Sequence, residues 1–303
     1  DSVSDSAEGI GITKYAGSNI TGMVLNALTL SLGSTGNQTL SNADISQYDN
    51  SVSSDEDIFY DVDGNDDLTV CSASGSTGCT LSVLSGNTYR PDSGSSGNIT
   101  AENLSNAGIL TLDSNTLYVS GSLTSSGTFN ANTSTVEFNG TGAQTIPTLN
   151  YYNLTSSSTG ARTLASSSTI GVANTFTPGS NSYTVTGSTM NFNGSSAQTV
   201  NAGFTYNHLQ VQPSANTVTT NFAVGSVTVS GDLTLGNGTN TGVVVNANNA
   251  STTLSVAGSV SISGNTTFQA NASNTLTIGD DFTNNGTFTH NNGTVVFNDN
   301  SKT

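Results

Sequence analysis

The chain has 303 residues, of which 33% are hydrophobic and 8% are charged, whereas an ordinary globular domain is about 45–50% apolar and about 25% charged. Its 20 acidic residues are balanced by only four lysines and arginines, so the formal net charge is −16. This balance excludes nucleic acid as a partner, because binding a phosphate backbone needs clustered basic residues. It excludes an anionic membrane surface for the same reason.

A polar composition can indicate disorder, but disordered chains are typically rich in Pro, Glu and Lys and poor in β-branched residues. This chain has only four prolines and is full of Val, Ile and Thr. We therefore predict an all-β fold in which each strand buries a few aliphatic side chains.

Residues 1–92 are predicted to form an acidic N-terminal region, because they contain 13 of the 20 acidic residues. A Ser/Gly-rich stretch at 92–97 marks the predicted boundary with a β-rich region, residues 93–303. The longest apolar run, Met23 to Leu32, is interrupted by polar residues and is too short to span a bilayer. We predict no membrane insertion, and we expect the acidic N-terminal region, or its strand-like segment Ile20 to Leu32, to complete the sheet of a neighbouring subunit by β-strand addition.

Alternating oxygen-bearing side chains in the N-terminal region indicate a calcium loop. Asp61, Asp63, Asn65 and Asp67 have the spacing 1, 3, 5, 7, and Ca²⁺ takes about six to eight oxygen ligands. Gly64 stands fourth rather than sixth, which departs from a helix–loop–helix site, so a loop between strands is the form expected. The competing interpretation is a solvated acidic turn.

Two cysteines, Cys71 and Cys79, bracket a short Ser/Gly-rich stretch. Without a nearby His or further Cys they make a poor zinc site. We predict a local disulfide formed in an oxidising compartment, and the alternative is a pair of free thiols in a turn.

The β-rich region contains four copies of one phrase at intervals of about 53 residues, and a fixed period of this kind is typical of solenoids and tandem arrays. TVEFNGTGAQTI (135–146) recurs as TMNFNGSSAQTV (189–200), as a degenerate copy with Val245 in the Phe position, and as TVVFNDNSKT (294–303). The interval from Phe192 to Phe297 is close to twice the interval from Phe138 to Phe192. No capping segment follows the fourth copy, so we expect a longer natural chain or another subunit to cover this end.

Short apolar/polar alternation within each repeat, such as Leu117 and Val119 followed by Leu123, predicts strands, and no helical stripe occurs. Gly and Asn between these segments indicate tight turns. We predict a repetitive β-solenoid, like a parallel β-helix, because each coil needs few inward side chains when its neighbours cover the rest. Asn and Thr ladders between coils suit this composition. Tandem small β-sandwich domains are the alternative, although sandwiches usually need more aromatic mass and this chain has no Trp.

The phrases GTFTHNNGTVVFNDNSKT, FNGTGAQTI and YYNLT resemble repeats of large secreted bacterial surface proteins of the adhesin-like β-helix kind. The resemblance covers the β-rich region and not residues 1–92. It implies a secreted protein with a structural or adhesive role at the cell surface.

Few residues of the β-rich region suggest binding or catalysis. Tyr151, Tyr152 and Tyr206 are candidates for stacking on the sugar rings of cell-surface glycans, and the competing interpretation is an interior aromatic stack. Only Asp280 and Asp281 are adjacent acids, and successive strand residues point to opposite faces. No nucleophile elbow, phosphate loop or His-rich metal motif occurs, so we predict no catalytic residues.

These features together favour a non-enzymatic extracellular structural subunit of a filament, surface layer or adhesin stalk. Its predicted partners are copies of itself, bound through β-strand and end-to-end contacts. One alternative is a carbohydrate-active or carbohydrate-binding β-helix protein, which would need acids converging in a groove. Another is an adhesin tip in which residues 1–92 form the binding head.

Overall fold

The computed structural model describes residues 98–298 apart from 167 and 249–251, together with residue 85 and ten short strands ahead of residue 98. These strands are β1 (Gly11–Thr13), β2 (Ile20–Thr21), β3 (Leu25–Ala27), β4 (Thr29–Ser31), β5 (Gln38–Ser41), β6 (Ile45–Gln47), β7 (Ile58–Tyr60), β8 (Leu68–Val70), β9 (Thr80–Val83) and β10 (Thr88–Arg90). The predicted boundary at 92–97 lies outside the described residues.

Residues 98–298 form further short strands and, within that described range, no helix. The first strands are β11 (Ile99–Ala101), β12 (Asn103–Asn106), β13 (Ile109–Thr111), β14 (Thr116–Val119), β15 (Leu123–Ser125), β16 (Thr128–Asn130), β17 (Thr135–Phe138), β18 (Gln144–Ile146), β19 (Asn150–Ser156), β20 (Arg162–Leu164), β21 (Thr169–Thr177) and β22 (Tyr183–Thr184). The later strands are β23 (Thr189–Phe192), β24 (Gln198–Val200), β25 (Thr205–Tyr206), β26 (His208–Val211), β27 (Thr219–Phe222), β28 (Gly225–Val229), β29 (Leu233–Leu235), β30 (Val243–Asn246), β31 (Thr252–Val256), β32 (Val260–Ile262), β33 (Thr266–Gln269), β34 (Thr275–Ile278), β35 (Phe282–Asn284), β36 (Thr287–Thr289) and β37 (Thr294–Phe297).

The strands stack as a parallel β-solenoid of about 10 turns. Parallel pairing follows because each turn returns the chain to the side from which the previous turn started, as in the pairs β11–β14 and β29–β32. A β-sandwich is built from antiparallel sheets. The predicted all-β solenoid is therefore confirmed, and the alternative of tandem sandwich domains is wrong.

The chain forms two compact units, and the first comprises residues 1–147, 155–162 and 179–182. Each turn at this point of the unit contains three strands: β11, β12 and β13 form one turn, and β14, β15 and β16 form the next. Ile99 pairs with Leu117, and Leu117 pairs with Val136. These two successive turns are therefore almost equal in length.

The second unit comprises residues 148–154, 163–178 and 183–303. Its later strands form three columns, β23-β26-β29-β32-β35, β24-β27-β30-β33-β36 and β25-β28-β31-β34-β37. Leu209 pairs with Leu233, which pairs with Val260. The second of these two turns is longer than the first, so turn length varies within the unit.

The core consists of columns of apolar side chains, one from each turn. In β31, Leu254 and Val256 are buried and alternate with half-buried residues. Leu209, Leu233 and Val260 are register partners, and each is 0% exposed. Burying one such side chain contributes about 1.5–3 kcal/mol. A chain with a low apolar content can thus form a continuous core, because each turn covers the inward side chains of its neighbours.

The repeated phrase does not return to the same column within the second unit. Its second copy begins in β23, its third in β30 and its fourth in β37, and these strands belong to three different columns. The paired residues Thr189 and His208 are also closer in sequence than the paired residues Leu233 and Val260. Within the second unit, where turn length varies in this way, the period of the sequence therefore does not correspond to a whole number of turns.

Candidate functional site

The predicted calcium loop and disulfide lie outside the described residues, so both stay predictions; their residues are Asp61, Asp63, Asn65, Asp67, Cys71 and Cys79. Among the residues that the structure describes, no group of three or more His, Cys, Asp or Glu is placed to hold a metal ion.

The tyrosines predicted to stack on sugars differ in exposure. Tyr151 and Tyr206 are each 1% exposed, and burial raises the pKa of both phenols above the ordinary value. Tyr206 packs edge-on against Phe204 and Phe192, with ring centroids 4.8 and 6.2 Å away. Both tyrosines are interior core residues, as the competing interpretation predicted. Neither ring therefore offers a face to a sugar. Tyr152 is half-buried, and its role in sugar stacking stays a prediction.

Acidic side chains of the second unit lie at exposed corners of successive turns. The Asp232 carboxylate is 3.4 Å from Nδ1 of His208 in the preceding turn. In the following turn, the backbone N–H of Ser259 donates to Asp232 at 2.9 Å, and its hydroxyl donates to Asp280 at 3.1 Å. These contacts link neighbouring turns along the outside of the solenoid.

A cavity of about 10 Å³ lies between Leu254, Phe268 and Leu276. A volume of about 10 Å³ is the least that admits one water molecule, and the lining is largely apolar. It cannot accommodate a sugar ring, so it is not a substrate site for a carbohydrate.

The first two copies of the repeated phrase build the same buried corner. In one copy, Oε1 of Gln144 accepts from the backbone N–H of Gly140 at 2.8 Å, and Nε2 donates to the carbonyls of Val119 and Gly121 at 2.9 and 2.8 Å. The carboxamide therefore satisfies a donor of its own turn and two acceptors of the preceding turn. This matters because a buried polar backbone group without a partner costs about 1–3 kcal/mol.

Gln198 repeats this arrangement in the second unit. Its Oε1 accepts from Gly194 at 2.7 Å, and its Nε2 donates to the carbonyls of Val172 and Asn174 at 2.9 and 3.1 Å. The third and fourth copies lack a Gln in this place, and the inward column beyond Gln198 continues as Thr220 and Val245. The polar corner is thus replaced by an apolar core within two turns.

Arg162 occupies the corresponding corner of the first unit one turn after Gln144, and it is 0% exposed. Its Nη2 donates to the carbonyls of Phe138, Gly140 and Ser157 at 2.9, 3.0 and 2.7 Å. A guanidinium presents several N–H donors in a fixed plane, which lets one side chain bind several carbonyls. No role was predicted for Gln144, Gln198 or Arg162, although the shared letters AQT of the two copies marked the glutamines.

Polar ladders run along the outer faces of both units, as the composition predicted. In the second unit, Asn246 donates to Asn221 of the preceding turn at 2.9 Å, and Asn174 donates to Asn153 at 2.7 Å. In the first unit, Asn132 donates to Asp113 at 2.9 Å. Such contacts add side-chain hydrogen bonds between turns to those of the backbone.

The last described turn exposes core side chains. Among the described strands, β35, β36 and β37 are each the last of their column. They carry Phe282, Phe288 and Phe297, which we call the terminal aromatic face. The ring of Phe282 lies 5.3 Å from that of Phe288 and 6.2 Å from that of Phe297.

Exposure on this face arises from position in the stack. Phe297 is the register partner of Ile278, which is 0% exposed, yet Phe297 itself is 59% exposed. Phe282 continues the column of the fully buried Val260 but is only half-buried. The face therefore consists of inward positions that no further described turn covers, and it is the candidate interaction site.

Comparison with protein-family models, curated proteins and solved structures finds no match for this chain. No helix among the described residues is long and apolar enough to cross a membrane.

Proposed function

We propose that the chain is a secreted, non-enzymatic structural subunit that assembles with copies of itself into a filament, surface layer or adhesin stalk at the cell surface. The observation that supports this proposal is the terminal aromatic face. There, core aromatic side chains and the edges of three strand columns come together.

Two forces favour a second copy of the chain as the partner of this face. The outer edges of β35, β36 and β37 have no partner strand among the described residues, and such edges pair readily with strands of another chain. A turn from another copy would also cover the three phenylalanines, and burying an aromatic side chain contributes about 1.5–3 kcal/mol. Where such a contact joins this face to a different surface of the next copy, it propagates into an open polymer unless it closes into a ring.

The hydrogen bonds between turns suit a subunit under mechanical load. Each unit joins neighbouring turns by backbone ladders, by buried carboxamides such as Gln144 and Gln198, and by outer ladders such as Asn246 to Asn221. These contacts repeat turn after turn and need no ligand, which is consistent with a scaffold role.

The test is assembly of the full chain with and without a charge on the terminal aromatic face. We expect Phe297→Asp to reduce assembly measured by light scattering and electron microscopy, because contact would then bury a carboxylate without a partner. Val224→Asp is the matched control, since Val224 is 67% exposed and lies outside this face.

Circular dichroism would establish that both variants fold. Assembly that is as strong for Phe297→Asp as for the unchanged chain would contradict end-to-end contact through this face. An unchanged chain that stays monomeric at all concentrations would contradict the proposed function itself.

A further inference from the structure

The chain contains five Asn-Gly sequences, at 139–140, 193–194, 237–238, 285–286 and 292–293. An Asn-Gly pair can deamidate without an enzyme, because glycine leaves the following backbone nitrogen unhindered. That nitrogen attacks Cγ of the asparagine, a new N–C bond forms, and the Cγ–Nδ2 bond breaks as ammonia leaves with the amide proton. Water then opens the cyclic imide to Asp or isoaspartate. The reaction needs a free carboxamide and a backbone N–H that can leave its hydrogen bond.

The two Asn-Gly pairs of the repeated phrase are protected from deamidation. Gly140 and Gly194 are buried, and their N–H groups donate to the carboxamide oxygens of Gln144 and Gln198 at 2.8 and 2.7 Å. Attack by either nitrogen would break a buried hydrogen bond, which raises the barrier. The backbone of these corners is also closely packed, so it cannot easily rearrange around the ring that must form.

The pair at 237–238 is protected through its side chain. Oδ1 of Asn237 accepts from the N–H groups of Thr239 and Asn240, each at 2.9 Å, and Nδ2 donates to the carbonyl of Pro213 at 3.2 Å. Three hydrogen bonds fix the carboxamide, although the side chain is exposed.

The remaining pairs lie in the last described turns, and they differ in how the glycine nitrogen is held. Asn285 and Asn292 are exposed, and their carboxamides make no hydrogen bond within the described part of the chain. The N–H of Gly293 donates to the backbone carbonyl of His290 at 2.9 Å. The N–H of Gly286 donates to the side chain of Asn284, itself exposed, at 3.1 Å, and an exposed side chain leaves its partner more readily than a backbone carbonyl does.

We propose that Asn285 is a site of spontaneous deamidation in the folded protein, that Asn292 reacts more slowly, and that Asn139, Asn193 and Asn237 are retained as asparagine. Each event replaces a neutral carboxamide with a carboxylate beside the terminal aromatic face, since Asn285 directly follows β35. The site is modified by water alone, so the modification does not depend on the proposed function.

The experiment is an incubation of the folded full chain at mildly alkaline pH in ¹⁸O-labelled water, followed by peptic digestion and peptide mass spectrometry. We expect Asn285 to gain label at least about tenfold faster than Asn139 and Asn193, because a buried hydrogen bond that must break slows attack by about that factor. The unfolded chain is the control, since all five pairs should react there at similar rates.

A variant separates the proposed mechanism from simple exposure. Asn284→Ala removes the acceptor of the Gly286 N–H and should accelerate labelling at Asn285 while leaving Asn292 unchanged. Equal rates at Asn285 and Asn139 in the folded chain would overturn the proposal. Slower labelling at Asn285 than at Asn292 would overturn the assigned order.

Discussion

Glycine at the buried corners is required by the distance between neighbouring backbones. A Cβ atom on Gly140 would lie 2.1 Å from the carbonyl oxygen of Ser120 in the preceding turn, and one on Gly194 would lie 2.1 Å from the carbonyl oxygen of Ala173. The same phrase therefore carries the same steric restriction in both units. Side-chain chemistry is secondary at these two positions, because no side chain of any kind has room.

We predict that Gly140→Ala lowers the free energy of unfolding by about 1–3 kcal/mol, the usual cost of forcing extra atoms into a packed site. Urea denaturation monitored by circular dichroism measures this change. Gly142→Ala is the matched control two residues away, because a Cβ there meets no atom within 4 Å. We expect its effect to stay within about 0.5 kcal/mol, as for most surface substitutions. Equal effects of the two variants would show that the close approach at Gly140 does not limit stability.

Residues of this kind show what the sequence could and could not reveal. The alternation around Leu117 and Val119 predicted their burial correctly, since period-2 patterns report directly on which face is inward. The roles of Gln144 and Arg162 were not predicted, because they depend on carbonyl groups of an earlier turn, far back in the chain. Tyr151 and Tyr206 were assigned to a surface only as one of two interpretations, and an aromatic residue alone does not indicate on which side of a strand it lies.

At the scale of elements, the unit of stability is one turn of three strands. The turn from Leu233 to Ser259 contains β29, β30 and β31, and each of these strands pairs with equivalents before and after it. In repeat folds each turn contacts mainly its neighbours, so stability is approximately a sum over turns and interfaces. Removing a whole turn should therefore bring two compatible surfaces together.

We predict that deleting residues 233–259 leaves a folded protein, because Leu209 can then pair with Val260 and Val227 with Leu276 in the existing register. The shortened chain should unfold cooperatively at a lower denaturant midpoint, since one interface between turns is lost. Circular dichroism and denaturant titration measure both properties.

Deleting residues 233–258 instead gives a control that differs by one residue. The polar Ser259 then takes the place of the buried Leu233, and a one-residue slip sends every side chain of a strand to the opposite face. We expect this chain to lose its cooperative transition. If both deletions were equally stable, register between turns would not be set by the inward columns.

The contacts between turns also explain which parts of the architecture could be predicted from the sequence. Fold class followed from composition and alternation, because both depend on local patterns. The assignment of repeats to columns did not follow, because the loops between strands vary in length and shift the sequence period away from the structural one. An uncapped end after the fourth copy was expected, but the residues of the terminal aromatic face were not predicted, since exposure of Phe282 and Phe297 depends on what covers them rather than on their own surroundings in sequence.

At the scale of the whole molecule, the scarcity of lysine and arginine limits the number of sites at which trypsin can cleave the chain. The chain has two lysines and two arginines, and between Arg90 and Lys302 the only one is Arg162. Arg162 is 0% exposed, and its guanidinium is bonded to the carbonyls of Phe138, Gly140 and Ser157. A protease must extract several residues around its cleavage site, so cleavage there requires the corner to open.

We predict that trypsin leaves the fragment that contains Arg162 intact in the native protein, and that cleavage after Arg162 begins only where denaturant or heat starts to populate the unfolded state. Gel electrophoresis and intact-mass measurement follow the fragment over time. Thr239→Lys provides an accessible site, since Thr239 is exposed in the loop 236–242, and this variant should be cut under native conditions. Equal rates of cleavage after Arg162 and after the introduced lysine would contradict this prediction. The buried corner would then open as readily as an exposed loop. A rate that instead tracks the unfolded fraction would identify the Arg162 corner as part of the most stable structure in the chain.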